Sequence, residues 1–300
     1  MILVTGANGF IGREVCHVLT AHGHEVAATD RTCAEATPYR FITGDICDAD
    51  WLARLFRTEA FDTIIHLASL RNRESQSRPA DAMRVNIGGS LMLLELAARA
   101  RHNVTRFVYG SSISAYGPKP YTRYGAVAET EPAAPENVYG LGKRYVEMAG
   151  EQYHRQGRLS FVAARIAMVV GAGVVSTASM WRGEIFDRRR LRRPYTIRLP
   201  YARDEVLPLI HATDIAEMLQ CFATVAAPHH TLYNTPAEHW TCATLADAVT
   251  ALNPHLAFSF DPGGARGDPE RIDVSRFHSE FDYQPMPLRE RLEIFSDPNR

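Results

Sequence analysis

The 300-residue sequence predicts an α/β protein in which a doubly wound parallel sheet is followed by a small C-terminal α/β lobe. Three observations carry this. Short apolar or β-branched runs alternate with longer helical patterns through the first two thirds of the chain, the rhythm of strands joined by crossover helices. Several of those runs are almost wholly apolar, as strands covered on both faces must be. A glycine-rich turn directly follows the first run and opens the first helix.

In chain order, strands are expected at Ile2 to Thr5, Glu25 to Thr29, Arg40 to Thr43, Thr63 to Leu67, Arg106 to Tyr109 and Ser160 to Ile166. Helical patterns run from Ile11 to Ala21, Asp50 to Arg57, Pro79 to Arg101 and Asn137 to Gln156. The third carries Met83, Ile87, Leu91 and Leu94 at spacings of three and four, which reads as a buried stripe. After Gly171 the alternation loosens into a proline-, arginine- and tyrosine-rich stretch through Arg203, and helical patterns return at Thr213 to Thr224 and Thr244 to Leu252. Residues 1–170 are therefore expected to form the sheet domain. Residues 171–300 are expected to form mainly a substrate-binding lobe packed on the sheet edge, with some segments returning to the sheet.

Composition narrows the function. With 33 basic and 34 acidic side chains, the net charge of −1 provides no global field for a nucleic-acid backbone or an anionic membrane, and a small molecule is the expected partner. No apolar run reaches the ~18–20 residues that span a bilayer. The N-terminus opens directly into a strand pattern without a signal peptide, so a cytoplasmic location is expected. Five scattered cysteines (Cys16, Cys33, Cys47, Cys221, Cys242) lack metal-ligand spacing, so neither a disulfide framework nor a metal site is expected.

The turn after the first strand is Gly6-Ala7-Asn8-Gly9-Phe10-Ile11-Gly12. The first glycine permits a tight turn, the second lets backbone amides approach a pyrophosphate, and the third lets helix and strand pack closely. The helix N-terminus adds a favourable dipole. Eighteen residues beyond Gly12, Asp30 closes the second strand, where a carboxylate accepts hydrogen bonds from an adenosine ribose and repels a 2′-phosphate, favouring NAD. Arg31 beside it offers the opposite charge. Asp45, after the third strand, fits either an adenine contact or a cap for the helix near Asp50.

Two further features bear on chemistry. Ser111 and Ser112 close the fifth strand, and Tyr139-Gly140-Leu141-Gly142-Lys143 opens a helix. At a spacing of four, Tyr139 and Lys143 share a helical face. A nearby ammonium favours a phenolate, so Tyr139 can act as a general base, and Ser112 can hydrogen-bond the same substrate oxygen.

Taken together, Gly6/Gly9/Gly12, Asp30, Asp45, His66-Leu67-Ala68, Asn86-Ile87-Gly88-Gly89, Ser111-Ser112, Tyr116-Gly117, Tyr139-x-x-x-Lys143, Arg165 before Gly171, Ile210 to Ala216 and Leu232 to Thr235 make the sequence resemble the extended short-chain dehydrogenase/reductases. Within them it resembles the NAD-dependent epimerase/dehydratase family. The resemblance implies a Rossmann-type fold, with Tyr139 as acid/base, Ser112 orienting substrate and Lys143 holding the nicotinamide ribose. It implies that NAD lies against Gly6, Asn8, Gly9, Phe10, Ile11, Gly12, Asp30, Arg31, Asp45, Ile46, Leu67, Ala68, Ser69, Asn86, Tyr139 and Lys143. It implies a substrate site at Ser111, Ser112, Ile113, Arg165 and Arg203. A homodimer built from the helices carrying Met83 to Leu94 and Tyr139 to Met148 is also implied.

The chain departs from its relatives in ways that bear on substrate. Dehydratases of the family resemble Thr-Asp-Glu where this chain has Ser112-Ile113-Ser114, which leaves hydride chemistry at one carbinol carbon. Met168 and Leu207 stand where nucleotide-sugar enzymes usually place an asparagine and an arginine on the diphosphate. These substitutions point to oxidation of a secondary alcohol on a sugar, sugar acid or related polyhydroxy compound. A nucleotide-sugar 4-epimerase with tightly bound NAD is the alternative, and a non-catalytic NAD-binding protein is a third reading that the Ser112, Tyr139 and Lys143 set disfavours.

Overall fold

The computed structural model describes residues 1–33, 37–99, 103–117, 125–174, 179–188, 190–263 and 269–294. Strands β1 (Ile2–Thr5), β2 (Val26–Asp30), β3 (Arg40–Thr43), β4 (Thr63–His66), β5 (Arg106–Ser112) and β6 (Ser160–Ile166) occupy the apolar runs. The helices between them are α1 (Phe10–Ala21), α2 (Ala49–Thr58), α3 (Asn72–Ser77), α4 (Pro79–Ala82), α5 (Ser90–Ala97) and α6 (Val138–Arg155). Then follow β7 (Met168–Val170), α7 (Trp181–Asp187), β8 (Tyr195–Leu199), β9 (Val206–His211), α8 (Ala212–Thr224), β10 (Leu232–Asn234), β11 (Glu238–Thr241), α9 (Cys242–Leu252), β12 (Leu256–Phe260), α10 (Ser275–Glu280) and α11 (Leu288–Ile294).

The main sheet has seven parallel strands in the order β10-β6-β5-β4-β1-β2-β3, so the chain reverses direction across the sheet between β1 and β4. Strand period two explains its two covers. Val4, Ala28, Ile65, Val108 and Val162 face α1 and α8, where Val15, Leu19, Ile215 and Phe222 meet them. Their neighbours Leu3, Ala27, Ile64, Phe107 and Phe161 face the other way, onto Leu52, Leu94 and Val146 of α2, α5 and α6. Each strand thus needs apolar residues at consecutive positions, which is why these runs do not alternate with polar ones.

The remaining strands form a three-stranded sheet, β11-β9-β7, and a two-stranded one, β12-β8. A separate apolar cluster holds them together, including Met168, Trp181, Ile185, Leu207, Leu209, Leu245 and Leu256. The lobe is threaded back into the main domain through α8 and β10. The Arg106 guanidinium on β5 donates to the Phe222 and Val225 carbonyls at 2.7 and 3.0 Å, satisfying the end of α8.

Several boundaries differ from expectation. Strand β5 continues to Ser112, because its last residues still pair with Arg165 and Ile166 of β6. The helix near Asp50 is capped by Asp48, which accepts from the Trp51 amide, and not by Asp45. The helical pattern from Pro79 to Arg101 is not one helix: α4 gives way to a wider π-helical segment, Met83–Gly89, before α5. There Gly89 presses against Ile46, and the Asn86 side chain turns inward to hold Leu70. The expected buried stripe dissolves with it: Leu94 is buried, but Met83 is 64% exposed. The arginine-rich stretch contains α7 and β8, and Arg198 on β8 is exposed.

Candidate active site

The phosphate loop is built by steric exclusion. Gly6 leaves β1 with a φ of +71°, and a Cβ there would lie 2.6 Å from the Ala68 amide nitrogen. At Gly12 a Cβ would lie 2.1 Å from the Gly6 carbonyl oxygen, so only glycine lets α1 start this close to the strand. Helix α1 begins after Gly9 with no side chain capping its first amides. The amides of Phe10, Ile11 and Gly12 are therefore donors for an anion, and the helix dipole reinforces them. Asp30 sits beside this loop: its carboxylate accepts from the Asn8 amide at 3.1 Å and the Arg31 amide at 2.7 Å. Arg31 itself is exposed. Asp45 accepts from the Cys47 amide at 2.9 Å and is half-buried, while Ile46 is buried against Gly89. An uncapped helix start with a carboxylate at the end of the neighbouring strand fits the pyrophosphate and adenosine ribose of NAD.

The loop after β4 forms the opposite wall, with Leu67, Ala68 and Ser69 half-exposed against Gly6. A directed chain of hydrogen bonds holds it. Ser90 Oγ donates to the Asn86 carbonyl at 2.8 Å, leaving its lone pair for His66 Nε2 at 2.8 Å. His66 Nδ1 then accepts from Thr5 Oγ1 at 2.6 Å. This tautomer requires a neutral ring, and burial, with Lys143 nearby, pushes the His66 pKa down to about 3. Asn86, 2% exposed, accepts from the Leu70 amide at 2.7 Å and donates to the Leu70 carbonyl at 2.9 Å. Its side chain shapes the loop rather than pointing at solvent.

The start of α6, which carries Tyr139, packs on the turn that follows Ser112. Asn137 caps that helix by accepting from the Gly140 amide at 2.7 Å. A Cβ on Gly140 would lie 2.2 Å from the Ser114 carbonyl, so the first turn of α6 packs directly on the 3₁₀ turn Ile113–Ala115 after Ser112. Both Ser112 and Tyr139 are half-exposed, whereas Ile113 and Ser114 are buried. One turn further along, Lys143 is 2% exposed and donates from Nζ to the Gly110 carbonyl at 2.6 Å. Its ammonium lies 5.5 Å from the Tyr139 ring centre. Burial lowers its pKa from 10.5 to about 7, with Glu147 acting in the opposite direction.

Two expected substrate residues have another place. Arg165, 1% exposed, donates from Nε and Nη2 to the Glu147 carboxylate at 3.0 and 2.8 Å. Ser111 donates to the same carboxylate at 2.5 Å and Arg144 at 3.1 Å. Ser111 and Arg165 are thus committed to a dry floor beneath the site, with the Arg165 guanidinium 4.1 Å from the centre of the Tyr116 ring. Arg203 is exposed, its guanidinium 5.7 Å from the centre of the Phe260 ring in the second lobe. Sequence reasoning passed over Glu147, although it extends the Tyr139 and Lys143 spacing by another four residues and so had to face the same strands.

The glycine turn, the Asp30 carboxylate, and Ser112, Tyr139 and Lys143 thus all lie at or beside the carboxyl ends of a parallel sheet, where open α/β folds bind their ligands. The chain matches the NAD dependent epimerase/dehydratase family over residues 2–235 and belongs to it. It is an enzyme of that family, and its cofactor is NAD. It is similar to UDP-glucose 4-epimerase of Neisseria meningitidis serogroup C, at 34% identity over 162 residues, 49% of this chain and 46% of that one. The chain thus spans about half the length of that relative. Among solved structures it is similar to L-threonine dehydrogenase from Phytophthora infestans, with a TM-score of 0.87 and 25% identity over 98% of this chain and 97% of that one. It is also similar to MoeE5 in complex with UDP-glucuronic acid and NAD, with a TM-score of 0.82 and 25% identity over 97% and 96% of the two chains. No described helix is long and apolar enough to cross a membrane, and no metal-binding cluster occurs among the described residues.

Two stability measurements follow from the buried charges. Lys143→Met removes an ammonium held out of water and is expected to raise resistance to denaturant at pH 7 by ~2 kcal/mol. Between about 7 and 10.5 the unfolded lysine still binds a proton that the folded one has released, so wild-type stability climbs with pH. The advantage of the variant must therefore shrink across that window; an undiminished advantage would contradict the buried charge. Glu147→Ala, which strands Arg165, is expected to cost ~3–5 kcal/mol by urea titration, with Glu147→Gln recovering part of the loss.

Proposed function

We propose that this enzyme is an NAD-dependent dehydrogenase that oxidises a secondary alcohol on a small sugar, sugar acid or similar polyhydroxy compound carrying no nucleotide. The observation that carries this reading is the burial of Met168 and Leu207. Both are packed in the apolar core of the second lobe, so neither position offers a polar group to a diphosphate. The likeness to an L-threonine dehydrogenase, whose named substrate is a small hydroxy acid, supports it.

In this reading the substrate hydroxyl lies between Ser112 Oγ and Tyr139 Oη. Ser112 fixes the oxygen and Tyr139 accepts its proton as the C–H bond breaks. NAD, when bound, supplies the acceptor for the hydride. Lys143 stabilises negative charge on Tyr139 and reaches the nicotinamide ribose, while Asp30 and the amides of Phe10 and Ile11 hold the far end of the cofactor. Asn8, Gly9, Leu67, Ala68 and Ser69 line its path. Incubation with NAD and two panels, free hydroxy acids and sugars in one and nucleotide sugars in the other, tests the reading. NADH formed from a free compound is the expected result, and Tyr139→Phe should lower that rate by about 10²–10⁴-fold with NAD binding retained.

A second reading is nucleotide-sugar 4-epimerisation, favoured by the 34% identity with a UDP-glucose 4-epimerase. It predicts an isomerised nucleotide sugar without net NADH, and that outcome would overturn the first.

A homodimer belongs to the same proposal. Leu141, Tyr145 and Met148 are exposed on one face of α6, and Met83 is exposed on the neighbouring segment, where Gly142 packs near Asn86 and Ile87. An apolar face of this kind is suited to a second copy. Light scattering should give the mass of a dimer, and Leu141→Glu with Met148→Glu should halve it.

A further inference from the structure

Lysine is nearly absent from this chain: of 33 basic side chains only Lys119 and Lys143 are lysines. Lys119 lies outside the described residues. The one described lysine is also among the most buried side chains of the protein, and what surrounds its ammonium is unusual. Nζ lies over the Tyr139 ring, 5.5 Å from its centre, and over the ring of Tyr109 from β5, 4.8 Å from its centre. Tyr109 is 1% exposed, and the His66 ring stacks on it at 5.8 Å and 26°. Thr5, His66 and Tyr109 are direct register partners across β1, β4 and β5, which sets this ring in line with the histidine and the strand that leads into the glycine turn.

The charged groups around Lys143 do not by themselves account for an ammonium here. On its own helix Glu147 is the counter-charge, but Arg165 from β6 and Arg144 from α6 already occupy that carboxylate. His66 on β4 is neutral. The Gly110 carbonyl is a single dipole. A tyrosine face, negative at its centre, is what β5 places against the cation, and such contacts strengthen when water is excluded.

We propose that Tyr109 is a positioning residue for the reaction: its ring face holds Lys143 protonated and aimed at Tyr139. Tyr109 is not a catalytic residue, and it touches neither substrate nor cofactor in this role. The inference is independent of which alcohol is oxidised.

The scarcity of lysine makes the test direct. Protein labelled with ¹³Cε-lysine has two lysine resonances, which Lys119→Arg assigns, and the pH titration of Lys143 is read without any substrate. Tyr109→Phe keeps the ring face and should leave the titration midpoint within about 0.3 units of wild type. Mono-, di- and trifluorinated phenylalanine at position 109 then weaken the face at nearly constant shape, and should lower the midpoint stepwise by about one unit in total. Tyr109→Leu, checked for folding by circular dichroism, should lower it at least as far. Midpoints that stay flat or rise across the fluorinated series would overturn the proposal and leave Tyr109 a packing residue.

Discussion

The site is organised around one amine, that of Lys143, held in a place with almost no water. Removing a charge from solvent costs several kcal/mol unless the surroundings replace its hydration. Here the replacement comes from three elements at once: the Gly110 carbonyl at the end of β5, the Glu147 carboxylate one turn along α6, and the aromatic faces on either side. Glu147 is itself buried and must be satisfied, which commits Ser111 and Arg165. Arg165 in turn lies over Tyr116, whose hydroxyl donates to Asn234 on β10 at 2.8 Å. Through these steps β10, the strand that returns to the edge of the main sheet, is tied to the charge at the site.

The same constraint explains why the site is where it is. The carboxyl ends of parallel strands leave carbonyl groups and turns facing a common crevice, and the change of direction between β1 and β4 opens that crevice for a dinucleotide. Gly6 and Gly12 bring the start of α1 to its edge, and Gly140 brings the start of α6 to Ser114. Three close backbone approaches therefore bring the starts of α1 and α6 up against the strand ends. Met168 and Leu207 are spent on the apolar core of the second lobe.

Much of this was legible in the residues. The six leading strands show because burial on both faces demands unbroken apolar runs, and the phosphate loop shows because no other residue than glycine survives at Gly6 and Gly12. Tyr139 and Lys143 show by their spacing. What could not be read is the partner of each buried charge. The pairing of Arg165 and Ser111 with Glu147 is set by how α6 crosses β5 and β6, which spacing along the chain does not reveal. The wide turn Met83–Gly89 escaped for a related reason: its apolar spacing is compatible with an α-helix, while the contacts of Asn86 with Leu70 and of Gly89 with Ile46 are tertiary. Met83 then faces outward, turning an apparent core position into part of a surface.

A crystal structure of the protein with NAD would test the central claim most directly, namely that one site built around Lys143 holds the whole cofactor against Ser112 and Tyr139. The account predicts the pyrophosphate on the first amides of α1, the adenosine ribose on Asp30, and the nicotinamide ribose on Tyr139 and Lys143, with the Ser112 and Tyr139 hydroxyls beside the nicotinamide ring. A nicotinamide bound away from Tyr139, or a Lys143 side chain turned out of the floor to solvent, would contradict it.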